Sequence, residues 1–341
     1  MTSRERIAAA MKIQTPDRVP YWCQLSQDHI WRNTLPKGQS GPATIEQHVA
    51  CECAMAQRYG FDATLLYAPG KFRKGHRFDV PVPPATEYKK PPFETIDPEK
   101  WPHHSERATA DVMYPALLAR EILGEDMHIG GWVIDAFSYA VNWFAGVESA
   151  MLAMMDDPVR FLALVNYFCH DSIEWALDQI IIGGLESICI SCPYAGSSFI
   201  SRKMYEQFVL QPMKRLAAAI EPTPAFSYIH NCGFLGDRLE LLAESGVDGI
   251  ECMDPPPLGD VELADAKRRV GDRVFLKGNM DSANVLLRGT DEDVERTVRD
   301  CLEAGMPGGG YILSTACSTA PDVRPERMLR IRELVEKYGN Y

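Results

Sequence analysis

His230, Cys232 and Cys317 are the side chains whose types and spacing could do chemistry. His230 and Cys232 are two apart in Ser227-Tyr-Ile-His-Asn-Cys-Gly, so on a strand they point to one face. Cys317 closes the run Ile-Leu-Ser-Thr-Ala-Cys, 85 positions further on. One imidazole and two thiolates make a zinc site with an open fourth position, the catalytic rather than the structural type. The competing reading is a packed core, since buried Cys and His are common and an isolated His-x-Cys is a weak signal. The run Glu251-Cys252-Met253-Asp254 offers a fourth ligand. Adjacent residues face opposite sides of a strand, so one of Glu251 and Cys252 points inward, and Glu251 is preferred as a labile oxygen ligand. Asn279 and Asp281 are the candidate catalytic pair, orienting substrate or a zinc ligand, against a turn role in which each bonds its own backbone. Asp135 is a lower-ranked acid.

These residues need elements that bring them together. Short β-rich runs at Ser187–Cys192, Phe226–Cys232, Gly249–Cys252, Val274–Gly278 and Tyr311–Cys317 alternate with amphipathic helices. The helices are expected over Arg202–Ala219, Leu235–Ser245, Val261–Val270, Asp291–Ala304 and Pro325–Tyr338. Strands alternating with helices at this spacing imply a parallel sheet. The first half adds Val19–Leu25, Ala63–Tyr67 and His128–Val133. Eight strands close an α/β (β/α)8 TIM barrel, whose strand C-terminal ends share the rim where active sites form. His230, Cys232 and Cys317 all fall at that rim. Residues 70–105 interrupt the pattern with Pro, Lys and His and read as an insertion over the mouth, with a hairpin over Lys71–Val82. Residues 1–341 form one domain with an N-terminal extension. No glycine-rich nucleotide loop supports a doubly wound sheet instead.

Trp22, Tyr67, Trp132, Phe137, Trp143 and Tyr194 fall at or just past strand ends and are the candidate substrate-binding residues. An aromatic-walled cleft suits an aryl methyl ether, although large aromatics are largely buried in any core. His29, Lys71, Arg73 and His76 could hold a substrate carboxylate, with a solvated loop role as the alternative. Cys23, Cys51, Cys53, Cys169, Cys189 and Cys301 are assigned to packing. Cys51 and Cys53 lie in a helical stretch, where i and i+2 do not share a face. Cys192 is unassigned.

The formal charge of −12 argues against nucleic acid as a partner, because a phosphate backbone calls for a basic face. The start, MTSRERIAAAMK, lacks the apolar stretch of a signal peptide. No run approaches the roughly 18 apolar residues of a membrane span. The expected location is the cytoplasm, where ten cysteines stay reduced.

Several runs resemble the uroporphyrinogen decarboxylase superfamily. They are Thr15-Pro-Asp-Arg-Val-Pro, Ser201-Arg-Lys-Met-Tyr-Glu-Gln-Phe-Val-Leu-Gln-Pro, Gly278-Asn-Met-Asp with Leu287-Arg-Gly-Thr, and Gly309-Gly-Tyr-Ile-Leu-Ser-Thr-Ala-Cys. The resemblance covers nearly the whole chain and implies a (β/α)8 barrel. It also implies one of two chemistries. Decarboxylases carry arginines after the first strand and an Asp after the second. Here those positions read Tyr21-Trp-Cys-Gln-Leu-Ser-Gln and Leu65-Leu-Tyr-Ala-Pro-Gly, and a tetra-acidic substrate would lack its cations. The other branch, the corrinoid-dependent methyltransferases, carries His-x-Cys and a distant Cys as zinc ligands. Its pattern matches His230, Cys232 and Cys317. Membership of that branch implies Zn2+, and cobalamin held by a separate corrinoid-binding protein. Ile250-Glu-Cys-Met-Asp-Pro-Pro-Pro-Leu-Gly-Asp is similar to the demethylating group, which implies transfer from a small donor such as a methoxylated aromatic to cob(I)alamin. Methyl transfer from a corrinoid to a thiol or to tetrahydrofolate is the alternative, and metal-free decarboxylation a further one. A homodimer is an open option.

Overall fold

The computed structural model describes residues 1–67, 72–78, 93, 97 and 108–341. Seven parallel strands follow one another in chain order around the sheet. They are β1 (Ala63–Leu65), β2 (His128–Ile134), β3 (Ser187–Ser191), β4 (Phe226–Asn231), β5 (Gly249–Cys252), β6 (Phe275–Met280) and β7 (Tyr311–Thr315). Helices cross between them, and the sheet curls into a barrel-like α/β fold.

The expected first strand, Val19–Leu25, forms no ladder. It occupies the seam between β7 and β1 through the isolated bridges Tyr21–Leu313 and Leu25–Thr319. On one side Leu313 N donates to Pro20 O at 2.9 Å and Trp22 N to Leu313 O at 3.0 Å. On the other, Asp62 N donates to Tyr21 O at 2.9 Å. Two features stop a continuous ladder. Pro20 has no N–H to give, and the Tyr21 N–H goes to the Asp62 carboxylate at 2.9 Å rather than to a strand carbonyl. The barrel therefore closes, but through a seam that is partly side chain.

The amphipathic stretches form helices close to expectation, with two informative departures. Arg202–Ile220 is not uniform: a π turn over Glu206–Leu210 separates Arg202–Tyr205 from Gln211–Ile220. Pro212, in the first turn of the last piece, has no N–H for an i→i−4 bond, which favours the wider turn. Only Leu239–Ala243 of the expected helix Leu235–Ser245 forms. Its first turn is diverted because Asp260 accepts from Leu235 N and Gly236 N, at 2.8 and 2.9 Å. Of the hairpin expected over Lys71–Val82, residues 72–78 are described. Phe72 bridges to Met113 and Arg77 to Thr44, rather than to each other. Lys71 and most of the expected insertion lie outside the described residues. No helix among the described residues is long and apolar enough to cross a membrane.

Candidate metal centre

Parallel pairing sets the site. The register aligns Ser191, His230, Glu251 and Lys277 across β3 to β6 as one rung, and Asn231, Cys252 and Gly278 as the next. His230 sits on β4, while Cys232 lies just beyond it and Cys317 just beyond β7. Ligand atoms of His230, Cys232, Cys252 and Cys317 all lie within 4.8 Å of one another. Cys232 Sγ is 3.3 Å from His230 Nε2 and 3.4 Å from Cys317 Sγ. Tetrahedral zinc with Zn–S near 2.3 Å and Zn–N near 2.0 Å needs ligand atoms roughly 3.5–3.8 Å apart. The quartet is close to that spacing, so three thiols and one imidazole fit a zinc ion. His230 and Cys252 are buried, whereas Cys232 and Cys317 are half-buried, so the quartet is approached from the two outer thiols.

Glu251, expected as the fourth ligand, lies outside this quartet and groups instead with Cys189 and His230. Its Oε2 lies 3.1 Å from His230 Nδ1, behind the ring, and Cys189 donates to the same oxygen at 3.6 Å. Its Oε1 is paired with Lys277. Cys252 has the fourth place in the quartet instead. Strand alternation would turn it away from the barrel, but its φ is 82° and that of Met253 is 54°. This left-handed kink, costly for residues with a Cβ, swings the thiol back to the rim. Gly278 makes room for it. A Cβ there would stand 2.8 Å from the Cys252 carbonyl oxygen, and the φ of Gly278 is +148°.

The electrostatics favour a thiolate. Hydrogen bonds from Cys232 and Cys252 hold the Cys317 thiol far below its usual range, against burial. Burial alone would lower the His230 imidazole, but hydrogen bonds with Cys232 and Cys317 push it well above its ordinary value. Burial raises Cys252. The cluster thus shares protons among closely spaced acids, and a divalent cation can replace them.

A family model described as uroporphyrinogen decarboxylase (URO-D) matches residues 2–338. The chain belongs to the URO-D family. It is 24% identical to a uroporphyrinogen decarboxylase of Shewanella halifaxensis, over 98% of both chains. It is 25% identical to one of Thioalkalivibrio sulfidiphilus, also over 98% of both. Its fold is similar to that of a methyltransferase from Methanosarcina mazei, with TM-score 0.77, 19% identity and 99% of each chain covered.

Within this URO-D barrel the other expected site residues have separate placements. Asn279 has no hydrogen bond to the quartet, and its Oδ1 accepts from the Cys301 thiol at 3.9 Å. Its Nδ2 donates to Met253 O at 2.9 Å and Val261 O at 3.1 Å, anchoring the loop that carries the kink. Asp281 accepts from Ala283 N, Asn284 N and Asn284 Nδ2 at 2.7–2.8 Å, which is a turn role. Both border a cavity of about 540 Å³ between the helices Leu263–Val270 and Asp291–Gly305. Asp135 caps the helix Ala136–Trp143 by accepting from Phe137 N and Ser138 N.

The aromatics divide. Trp22 is buried against Lys277, whose Nζ lies 4.3 Å from the ring centroid. Phe137 is buried in the core against Phe161. Tyr67 and Trp132 are half-buried neighbours, 6.4 Å between ring centroids. Trp143 packs on Phe168, and Tyr194 OH donates to Asn142 at 3.2 Å. His29 is fully buried with Nε2 2.8 Å from Tyr59 OH, which removes it as a surface anion binder. Arg73 pairs with Asp111, and exposed His76 stacks near Phe72 and Phe78. Lys277 was not foreseen. The signal was a lone lysine inside the apolar strand Val274-Phe-Leu-Lys-Gly.

Proposed function

We propose that this chain is a zinc-dependent methyltransferase that moves a methyl group from a small donor to cob(I)alamin on a separate corrinoid-binding protein. The observation that carries the reading is the His230–Cys232–Cys252–Cys317 quartet at the barrel rim, with its half-buried thiol edge. The name of the similar Methanosarcina mazei protein supports it. Zinc bound there would have four protein ligands at rest, and would supply Lewis acidity to the heteroatom that loses the methyl group where that heteroatom replaced one of them. The chain's own residues supply position. Glu251 holds the back of the His230 ring. Asp254 accepts from Gly233 N at 2.7 Å and so fixes the turn after Cys232. Half-buried Tyr67 and Trp132 offer an apolar wall suited to a methoxylated aromatic donor.

The test is zinc analysis of the purified protein, followed by a donor screen in which methylation of cob(I)alamin is read by absorbance. About one zinc per chain and donor-dependent methylcobalamin are expected, since one quartet holds one ion. Metal-free protein, or full activity in Cys317→Ser, rejects the reading. A second reading, decarboxylation, is favoured by the names of the curated relatives. Against it stands the stretch Tyr21–Leu25, which has no arginine for an acidic substrate. Carbon dioxide release undiminished by a chelator would favour it.

A further inference from the structure

We propose that Lys277, acting through Glu251, is a positioning residue that fixes which nitrogen of His230 faces the metal. The inference rests on the zinc reading above. Three adjacent strands place His230, Glu251 and Lys277 side by side in one rung. The Glu251 carboxylate and the Lys277 side chain are each only 1% exposed. Among the described residues Glu251 is the one carboxylate in ion-pair reach of Lys277. The ammonium is otherwise enclosed by aromatic rings, with Nζ 4.3 Å from the Trp22 centroid and 5.8 Å from that of Tyr228. Such faces attract a cation but cannot fix its position as a carboxylate does.

The chain of contacts has one sense. A carboxylate only accepts hydrogen bonds, so His230 Nδ1, 3.1 Å from Glu251 Oε2, must carry the ring proton. Nε2, on the side of Cys232 and the rest of the quartet, is then the nitrogen that would give its lone pair to the metal once its own proton is displaced. A ligand imidazole held from behind by a carboxylate gains both orientation and basicity. Buried Glu251 needs a compensating charge, because an unpaired carboxylate is strongly disfavoured away from water. Lys277 supplies that charge and, by occupying Oε1, leaves Oε2 aimed at the ring. Cys189 donates to Oε2 from a third side, at 3.6 Å, and limits rotation of the carboxylate.

The test compares Lys277→Met, Glu251→Gln and the double variant with the wild type. The readouts are zinc affinity by chelator competition, thermal unfolding, and the 15N shifts of the His230 ring in zinc-loaded protein. Lys277→Met and Glu251→Gln should each bind zinc about 10- to 100-fold more weakly, as loss of such outer partners does elsewhere. The double variant should regain thermal stability over Lys277→Met, since no lone charge remains buried, while its zinc affinity stays low. The wild-type ring should show the Nδ1–H tautomer. Wild-type zinc affinity in both single variants overturns the proposal. So does a double variant that regains affinity together with stability, because that marks a purely structural ion pair. If Lys277→Met does not fold, isosteric Glu251→Gln decides alone through affinity and 15N shifts. Wild-type protein that takes up no zinc defeats the underlying reading and this inference with it. Zinc uptake with indifferent variants defeats the positioning role only.

Discussion

Cys252 shows how much one backbone angle matters. Of Glu251 and Cys252, strand alternation admits only one to the site. The structure has both on the site side, because φ turns positive at Cys252 and again at Met253. Cys252→Ser should therefore leave zinc bound but more weakly, with the metal's sulfur neighbours falling from three to two. Zinc K-edge absorption reads that count directly, and an unchanged count would remove Cys252 from the ligand set. Asp135 is a second residue whose surroundings set its behaviour. Burial raises its carboxyl to about 6, against an unfolded value near 3.9. A raised acid contributes stability that is fully present below the unfolded pKa and is lost as pH rises through the folded one. Relative to Asp135→Asn, which keeps the cap acceptor, the wild type should thus lose roughly 3 kcal/mol at most between pH 4 and 7. Urea unfolding of both proteins across that range measures it, and parallel pH slopes would contradict it.

At the scale of elements, periodicity and turn chemistry were legible while the joints were not. β5 runs Gly249–Cys252, as its β-rich run implies, and the helix Pro325–Tyr338 matches its amphipathic stretch residue for residue. The rim position of His230, Cys232 and Cys317 follows from where their strands end. What spacing cannot carry is contact between distant residues. Nothing local announces that Lys277 will meet Glu251, since that depends on the register of β5 with β6. Nor does a Gly-Asn-Met-Asp run disclose its partners. In the structure Gly278 gives way to the Cys252 carbonyl, and Asn279 holds the loop beyond it. This joint between β5 and β6 is where Asn279 belongs. Asn279→Ala leaves the carbonyls of Met253 and Val261 without a buried donor, at a cost of about 1–3 kcal/mol. The kink should relax and zinc affinity should fall as well. Thermal unfolding and chelator competition should move together, and an unaltered zinc affinity would detach Asn279 from the site.

At the scale of the whole molecule, the decisive joint is the seam that closes the barrel. The run Thr15-Pro-Asp-Arg-Val-Pro, a mark of the family by sequence, lies there. Arg18 pairs with buried Asp62 at 2.8 Å, and Arg6 of the N-terminal helix Ser3–Met11 pairs with the same carboxylate at 2.6 Å. Asp62 also accepts from Tyr21 N, and its own N–H donates to Tyr21 O. One side chain thus ties the first helix, the seam and β1 together, in place of a full ladder. Asp62→Ala leaves the Arg18 guanidinium without its carboxylate beside an open seam, whereas Arg6 keeps Asp17 at 2.6 Å. Breaking a buried pair on one side costs about 3–5 kcal/mol, and the retained Arg6–Asp17 pair puts this loss toward the lower end. The expected result is a marked drop in thermal stability, with amide exchange rising first at Trp22 and Leu313, the hydrogen-bonded edge between the seam and β7. Because the quartet draws Cys317 from just beyond β7 and His230 from β4, opening at this seam should also loosen zinc. Exchange that rises uniformly over the barrel, with zinc retained, would show that the ladders between β1 and β7 hold the site without the seam.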